Sequence, residues 1–113
     1  MQNGNIYQGI VVSKGKFRGK IKKVFRIEDV LSINEGDIVV TKNNSPLFSL
    51  AFMKASAIIS ECGGGLCHLA IVAREMEKPC ILSVENAMEI FENNMLVEID
   101  GNENKIRIIE DGS

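Results

Sequence analysis

Apolar residues in this chain arrive in two rhythms. In "GIVVSKGKFRGKIKKVFRI" short apolar and alternating runs flank a glycine-marked stretch. This predicts two strands, residues 10–13 and 19–27, joined by a turn. "NEGD" predicts another turn, and "DIVVTK" a short strand apolar enough to be buried on both faces. In "NNSPLFSLAFMKA" the period changes: Leu47, Leu50, Ala51 and Lys54 recur every three or four residues, as on a helix. Ser45 is a natural N-cap for that helix and Pro46 suits its first position. "SAIISE" predicts a strand, and after three glycines a helix runs from about residue 67 to 77, stopping ahead of Pro79. "CILS" predicts a strand, and "VENAMEIFEN" a short helix with Asn86 as its cap. "NMLVEID", the turn "GNEN" and "KIRIIE" predict a closing hairpin.

Strands alternating with helices in the middle, with a hairpin at each end, predict one mixed α/β sandwich over residues 1–113. The composition agrees. At 113 residues, 45% hydrophobic and 25% charged, the chain suits one globular domain with a modest core. A net charge of -2 supplies no overall field for nucleic acid or membrane. Aromatic residues are 5% with no Trp, which removes the usual platforms for stacked bases. The apolar runs are too short to cross a bilayer, and "MQNGNIYQG" lacks the basic start and apolar core of a signal peptide. The expected setting is cytoplasmic. Three cysteines, Cys62, Cys67 and Cys80, with no secretory signal argue against a disulfide framework.

The one histidine, His68, stands where three glycines meet a helix. Gly63, Gly64 and Gly65 permit positive φ and let backbone amides approach a ligand closely. A helix start carries unpaired amides that favour negative charge, so an imidazole there tends to stay neutral and nucleophilic. A phosphoryl group acquired by it would put negative charge where the helix end prefers it. The helix start contributes about 0.3–1 kcal/mol. A transition-state arginine is worth about 10³–10⁵ in rate, or roughly 4–7 kcal/mol. The stretch therefore suits carrying a phosphoryl group, and it lacks the clustered Lys, Arg or metal-binding carboxylates that would catalyse the transfer.

"SECGGGLCHLAIVAREMEKPCILS" resembles the signature of the phosphohistidine, or mobile, domain of PEP-utilising enzymes. That family includes phosphoenolpyruvate synthase, pyruvate phosphate dikinase, the PTS Enzyme I and rifampicin phosphotransferase. Glu61, Gly63, Gly64, Cys67, His68, Ala70, Ile71, Val72, Ala73, Arg74, Glu75 and Pro79 fit its pattern in register. The resemblance extends to "GIVVSKGKFRGKIKKV", "GDIVVTKNNSP" and "MLVEIDGNENKIRI", and so covers residues 9–109. It implies an α/β fold, a swivelling β/β/α sandwich of phosphohistidine-domain type. It implies that His68 is the phosphorylated nucleophile, through Nε2, and relays the group between two active sites. Ser45, Gly63, Gly64, Gly65 and Cys67 would support the phosphoryl pocket, with Glu61 and Arg74 structural beside it. Arg74 lies some 240° around the helix from His68, which favours an ion pair or packing role over contact with the phosphoryl group.

The resemblance further implies that this domain binds no cofactor of its own. Mg²⁺ with ATP or PEP would sit on partner domains: an ATP-grasp nucleotide-binding domain, a PEP/pyruvate barrel domain, or both. These would be joined in cis or supplied as separate subunits, so the domain would serve a phosphotransferase without turning over alone. Five positions depart from the pattern. Lys14 replaces a proline, Leu66 a threonine, and Glu77, Ser83 and Asn104 each replace a glycine.

Two rival readings follow from other residues. A degenerate protein-binding module would keep the fold without phosphotransfer. A metal or redox module would use Cys62, Cys67, His68 and Cys80, but the C-x4-C-H-x11-C spacing is unlike that of common zinc sites. Lys14, Lys16, Arg18, Lys20 and Lys22 alternate and would form one basic strand face. Such a face is expected as a solvated sheet edge, or as a docking stripe for an acidic partner domain.

Overall fold

The computed structural model describes residues 6–42, 53–63 and 68–110. Eight strands form one sheet: β1 (Ile6–Tyr7), β2 (Ile10–Ser13), β3 (Lys16–Lys23), β4 (Asp37–Thr41), β5 (Ala57–Ser60), β6 (Cys80–Leu82), β7 (Leu96–Asp100) and β8 (Lys105–Glu110). Helix α1 (His68–Met76) joins β5 to β6, α2 (Ala87–Ile90) follows β6, and a 3-10 helix (Ile27–Ser32) follows β3. The strand order is β1-β8-β7-β3-β4-β5-β6-β2. β3, β4, β5 and β6 run parallel, and the other pairs are antiparallel.

β1 and β2 lie at opposite edges of this sheet, yet only Gln8 and Gly9 separate them in sequence. Two residues reach only about 10 Å, so the sheet must curl until its edges nearly meet. A Cβ on Gly9 would collide with the Leu82 carbonyl, which is why this link has none. Asn104, in the β7–β8 turn, locks the link: its Oδ1 accepts from Gly9 N at 3.1 Å and its Nδ2 donates to Gly9 O at 2.9 Å.

Alternation along the strands then sorts the core into two clusters. Ile21, Ile38, Val40, Ile59, Ile81, Val97, Ile99 and Ile106 point into the curl, where Ala87, Met88 and Phe91 plug it. Val39, Ile58, Cys80 and Leu82 point outward against Leu69, Ala70 and Ala73 of α1 and Val30 and Ile33 of the 3-10 segment. The layers are thus sheet, sheet and helix, the β/β/α sandwich expected. β4 and β5 are almost wholly buried, as their continuous apolar runs imply.

Four expectations need correction. The first hairpin does not exist: β2 pairs with β6, while β3 pairs with β4 and β7. Gly15, at φ +133°, sends the chain from one edge of the curled sheet to its middle, and β6 gains its second partner from β2 rather than from a sequence neighbour. Second, β3 ends at Lys23, and residues 27–32 are 3-10 helix, because Asp29 accepts from the backbone amides of Phe25 and Arg26 at 2.8 and 3.0 Å. Third, the basic stripe on β3 lies mid-sheet between β7 and β4, so it is no edge. Fourth, Asn86 precedes α2 but its side chain does not cap it; the residue is left-handed at φ 59°. The helix expected from Ser45 falls mostly outside the described residues, of which Met53 and Lys54 are helical. Among the described residues no helix is long and apolar enough to cross a membrane.

Candidate functional site

The parallel strands β4 and β5 end at one rim of the sheet, and the glycine run leaves from there. β5 is fully buried, and its exit is held from both sides. Glu61 N donates to Thr41 O at 3.0 Å on the β4 side. On the β6 side, Val84 N donates to Ser60 O at 3.0 Å and Ser83 N to Cys62 O at 2.8 Å. The buried Ser60 hydroxyl accepts from Cys62 N at 3.1 Å and lies 3.1 Å from Cys62 Sγ. Gly63 follows against Ser83, whose Oγ occupies the space a Cβ on Gly63 would need. A larger residue at 63 would have to displace the Ser83 hydroxyl.

The Glu61 carboxylate reaches across to α2 and accepts from Met88 N at 2.8 Å. Met88 is the second residue of that helix, so Glu61 supplies the N-terminal cap that Asn86 does not. The first residue after the rim and the helix plugging the curl are therefore one connected unit.

His68 is the first residue of α1. Leu69, Ala70 and Ala73 bury one side of this helix against the sheet. Arg74 Nε donates to Val12 O at 3.0 Å, and Ser13 Oγ lies 3.5 Å from Ala73 O, which fastens the helix to β2. The far end closes in a Schellman arrangement: Lys78 N donates to Ala73 O at 3.0 Å and Glu77 N to Arg74 O at 3.2 Å. Glu77 occupies the left-handed position at φ 54°. Pro79 follows and Cys80 opens β6. The C-terminal half of α1 is thus fastened to β2, and the chain leaving it runs directly into β6.

Of the residues expected to form the pocket, Ser45, Gly64, Gly65 and Cys67 lie outside the described residues, as does the His68 side chain. Gly63 and Glu61 come together at the rim with the end of β5, while Arg74 is drawn to β2. Sequence reasoning missed Ser60, Thr41 and Ser83, which pin the rim. Ser83 carried a signal: like Glu77 and Asn104 it stands where the family pattern has glycine, and all three are left-handed, at φ 56°, 54° and 58°. At all three positions the backbone takes a conformation that glycine adopts freely.

The described groups with shifted protonation lie away from the rim. Backbone N–H donors hold the Asp29 carboxyl below its ordinary value, and the Arg107 hydrogen bond does the same for Glu98. Burial lowers the Lys78 ammonium, with Glu35 opposing. Among the described residues no cluster of three His, Cys, Asp or Glu side chains could hold a metal.

Comparisons with known proteins agree with this architecture. A probable phosphoenolpyruvate synthase of Methanothermobacter thermautotrophicus is 39% identical over 97 residues, which cover 86% of this chain and 14% of that protein. The solution structure of an Enzyme I protein superposes with a TM-score of 0.61 at 22% identity, over 71% of this chain and 33% of the other. The crystal structure of aconitase X from Thermococcus kodakaraensis superposes with a TM-score of 0.71 at 15% identity, covering 95% of this chain and all of the other. At those identities the two structures speak for the fold alone. The family model described as "PEP-utilising enzyme, mobile domain" matches residues 33–104, which span the rim, the glycine run and helix α1, and this chain belongs to that family.

Proposed function

We propose that this chain is a phosphoryl carrier. His68 accepts a phosphoryl group at one active site and delivers it at another, both on partner domains or subunits. The observation that carries the reading is the position of His68. It opens α1 after the glycine run, in register with the family signature, on a helix packed against the sheet and fastened to β2 through Arg74. In the first step Nε2 would attack the phosphorus of ATP or PEP: a P–N bond forms and the P–O bond to the leaving group breaks. In the second an acceptor nucleophile attacks, and the P–N bond breaks. A helix start lowers the energy of the added negative charge by about 0.3–1 kcal/mol, enough to favour holding the group and far short of catalysing its transfer. Mg²⁺ and the nucleotide or PEP therefore belong to the partners, an ATP-grasp domain and a PEP/pyruvate barrel domain.

The test is to incubate the chain with family enzymes that use ATP or PEP and follow the phosphate. Acid-labile, base-stable phosphate should appear and should vanish in His68→Ala. Acid-stable phosphate on Ser45, or none with several competent donors, refutes the carrier and leaves a binding module of the same fold.

A further inference from the structure

Helix α1 covers the outer face of the sheet at β2 and β6, and among the described elements nothing covers the outer face of β3, β7 and β8. Strand parity sends Phe17, Ile21, Val97, Ile99, Ile106 and Ile108 inward. It therefore sends Lys16, Arg18, Lys20, Lys22, Lys105 and Arg107 outward, all but Lys22 exposed. These are six of the thirteen Lys and Arg residues. Glu98, Asp100 and Glu103 share the surface, with Asp37 of β4 beside Lys20 and Glu110 level with Leu96 at its margins, so seven bases face ten acids over the rest of the chain. A molecule of net charge -2 thus carries one basic face.

That face is ordered rather than a loose fringe. Glu98, its side chain only 12% exposed, pairs with Arg107 at 3.0 Å and with Arg18 at 3.5 Å, which holds one guanidinium on each flanking strand. Lys16, Lys20 and Lys22 make no ion pair among the described residues. Lys16 acts on Glu98 and Lys22 on Asp29 only through space, and Lys20 lies beside Asp37, so none of the three ammonium groups is tied into a direct salt bridge. Among the described residues of β3, β7 and β8 the one aromatic, Phe17, points into the curl, so these strands offer no ring of the kind on which single-stranded nucleic acid binders stack bases. The stripe also leads to the site. Lys22 is level with Val39 and, one strand further, with Ile58 of β5, two residues before the rim at Ser60. Two strand spacings are about 10 Å.

We propose that this basic face of β3, β7 and β8 is the docking surface for an acidic face of the domain that exchanges the phosphoryl group. The inference rests on the carrier reading and names the chemistry of its partner. Three strands about 4.8 Å apart and six or seven residues long offer roughly 300–400 Å², well under the ~800 Å² per partner of a stable complex. A small, charged surface suits a relay: long-range attraction speeds encounter, and the small area lets the partner leave.

The experiment uses the Methanothermobacter thermautotrophicus relative as donor, both in full length and with the segment aligned to this chain removed. Each is given radiolabelled PEP or ATP, and label on this chain is followed against donor concentration and salt. In Lys16→Glu/Lys20→Glu the second-order rate constant should fall about tenfold or more at low salt, with the rate at saturating donor unchanged and the salt dependence largely lost. Adding Glu85→Lys/Glu89→Lys, two exposed acids by α2, restores the net charge without restoring the face, and transfer should stay slow. Equal rates in wild type and the reversal variant, with both folded by thermal melt, overturn the docking surface and leave the carrier intact. Recovery on adding the α2 lysines assigns the effect to net charge and overturns it too. Label absent from wild type with these donors and with the other family enzymes that use ATP or PEP overturns the carrier and the docking with it. Salt-sensitive binding of the face to DNA or to anionic vesicles, with transfer unaffected, would assign it to a different partner.

Discussion

Replacing Glu77 by glycine should stabilise this protein, and the reason is backbone rather than contact. Glu77 ends helix α1 at φ 54°, as the left-handed residue of a Schellman turn whose two hydrogen bonds come from its own N–H and that of Lys78. A side chain in that conformation costs about 1–2 kcal/mol. Glycine removes that strain but loses about 0.4–1 kcal/mol more through the freedom it regains on unfolding. The balance favours glycine by about 0.5–1 kcal/mol. Removing a carboxylate from the negative end of the helix acts in the same direction, so Glu77→Ala, which keeps the strain and deletes the charge, is the reference. With about 2.1 cal/mol/K per residue of unfolding entropy and 113 residues, 1 kcal/mol corresponds to about 4 °C. Glu77→Gly should therefore melt about 2–4 °C above Glu77→Ala in a thermal scan. Glu75→Gly, in the body of the same helix, should melt below wild type by a comparable amount. A Glu77→Gly variant no more stable than Glu77→Ala would refute the assignment of strain to that position.

Other consequences can be measured in the same way. Glu61→Ala removes the cap on Met88 N–H and should lower stability by about 1 kcal/mol, with faster hydrogen exchange at the Met88 amide; unchanged exchange there would contradict the cap. Asn104→Gly relieves a positive φ but loses both hydrogen bonds to Gly9. At about 1 kcal/mol per bond the net effect should be destabilising in urea titration, the opposite sign to Glu77→Gly. The carboxyls of Asp29 and Glu98 are both held below their ordinary values in the fold. Their contribution is full above the unfolded-state value and is lost as pH falls through the lower folded value. Urea midpoints should decline as the solution is taken below pH ~5, and Asp29→Asn should flatten part of that decline.

Much of the strand and helix order was legible, because β4, β5, α1, β7 and β8 each carry a local signal: a continuous apolar run, a 3.6-residue period before a proline, or alternation around a turn. The position of His68 at the start of α1 was legible for the same reason, and the family signature occupies one continuous stretch. What failed was pairing. β2 and β3 look like a hairpin because they are adjacent and alternate, and nothing within residues 10–23 says that β2 belongs beside β6. Asn86 looked like a cap because caps are usually local, while Glu61, twenty-seven residues from the Met88 amide it accepts from, does the capping.

By itself the sequence determined which residues are apolar on which period, where the chain must turn, and which single imidazole opens a helix. These are properties of a residue and its near neighbours, so they survive without the fold. The tertiary structure alone decided that the sheet closes on itself through Gly9 and Asn104, and that the lysine stripe lies mid-sheet as an open basic face. It also decided that Glu61 and Ser60 brace the rim at which β5 ends. Each of those depends on groups far apart in sequence meeting in space, and only the burial of both sides of one curled sheet brings them together.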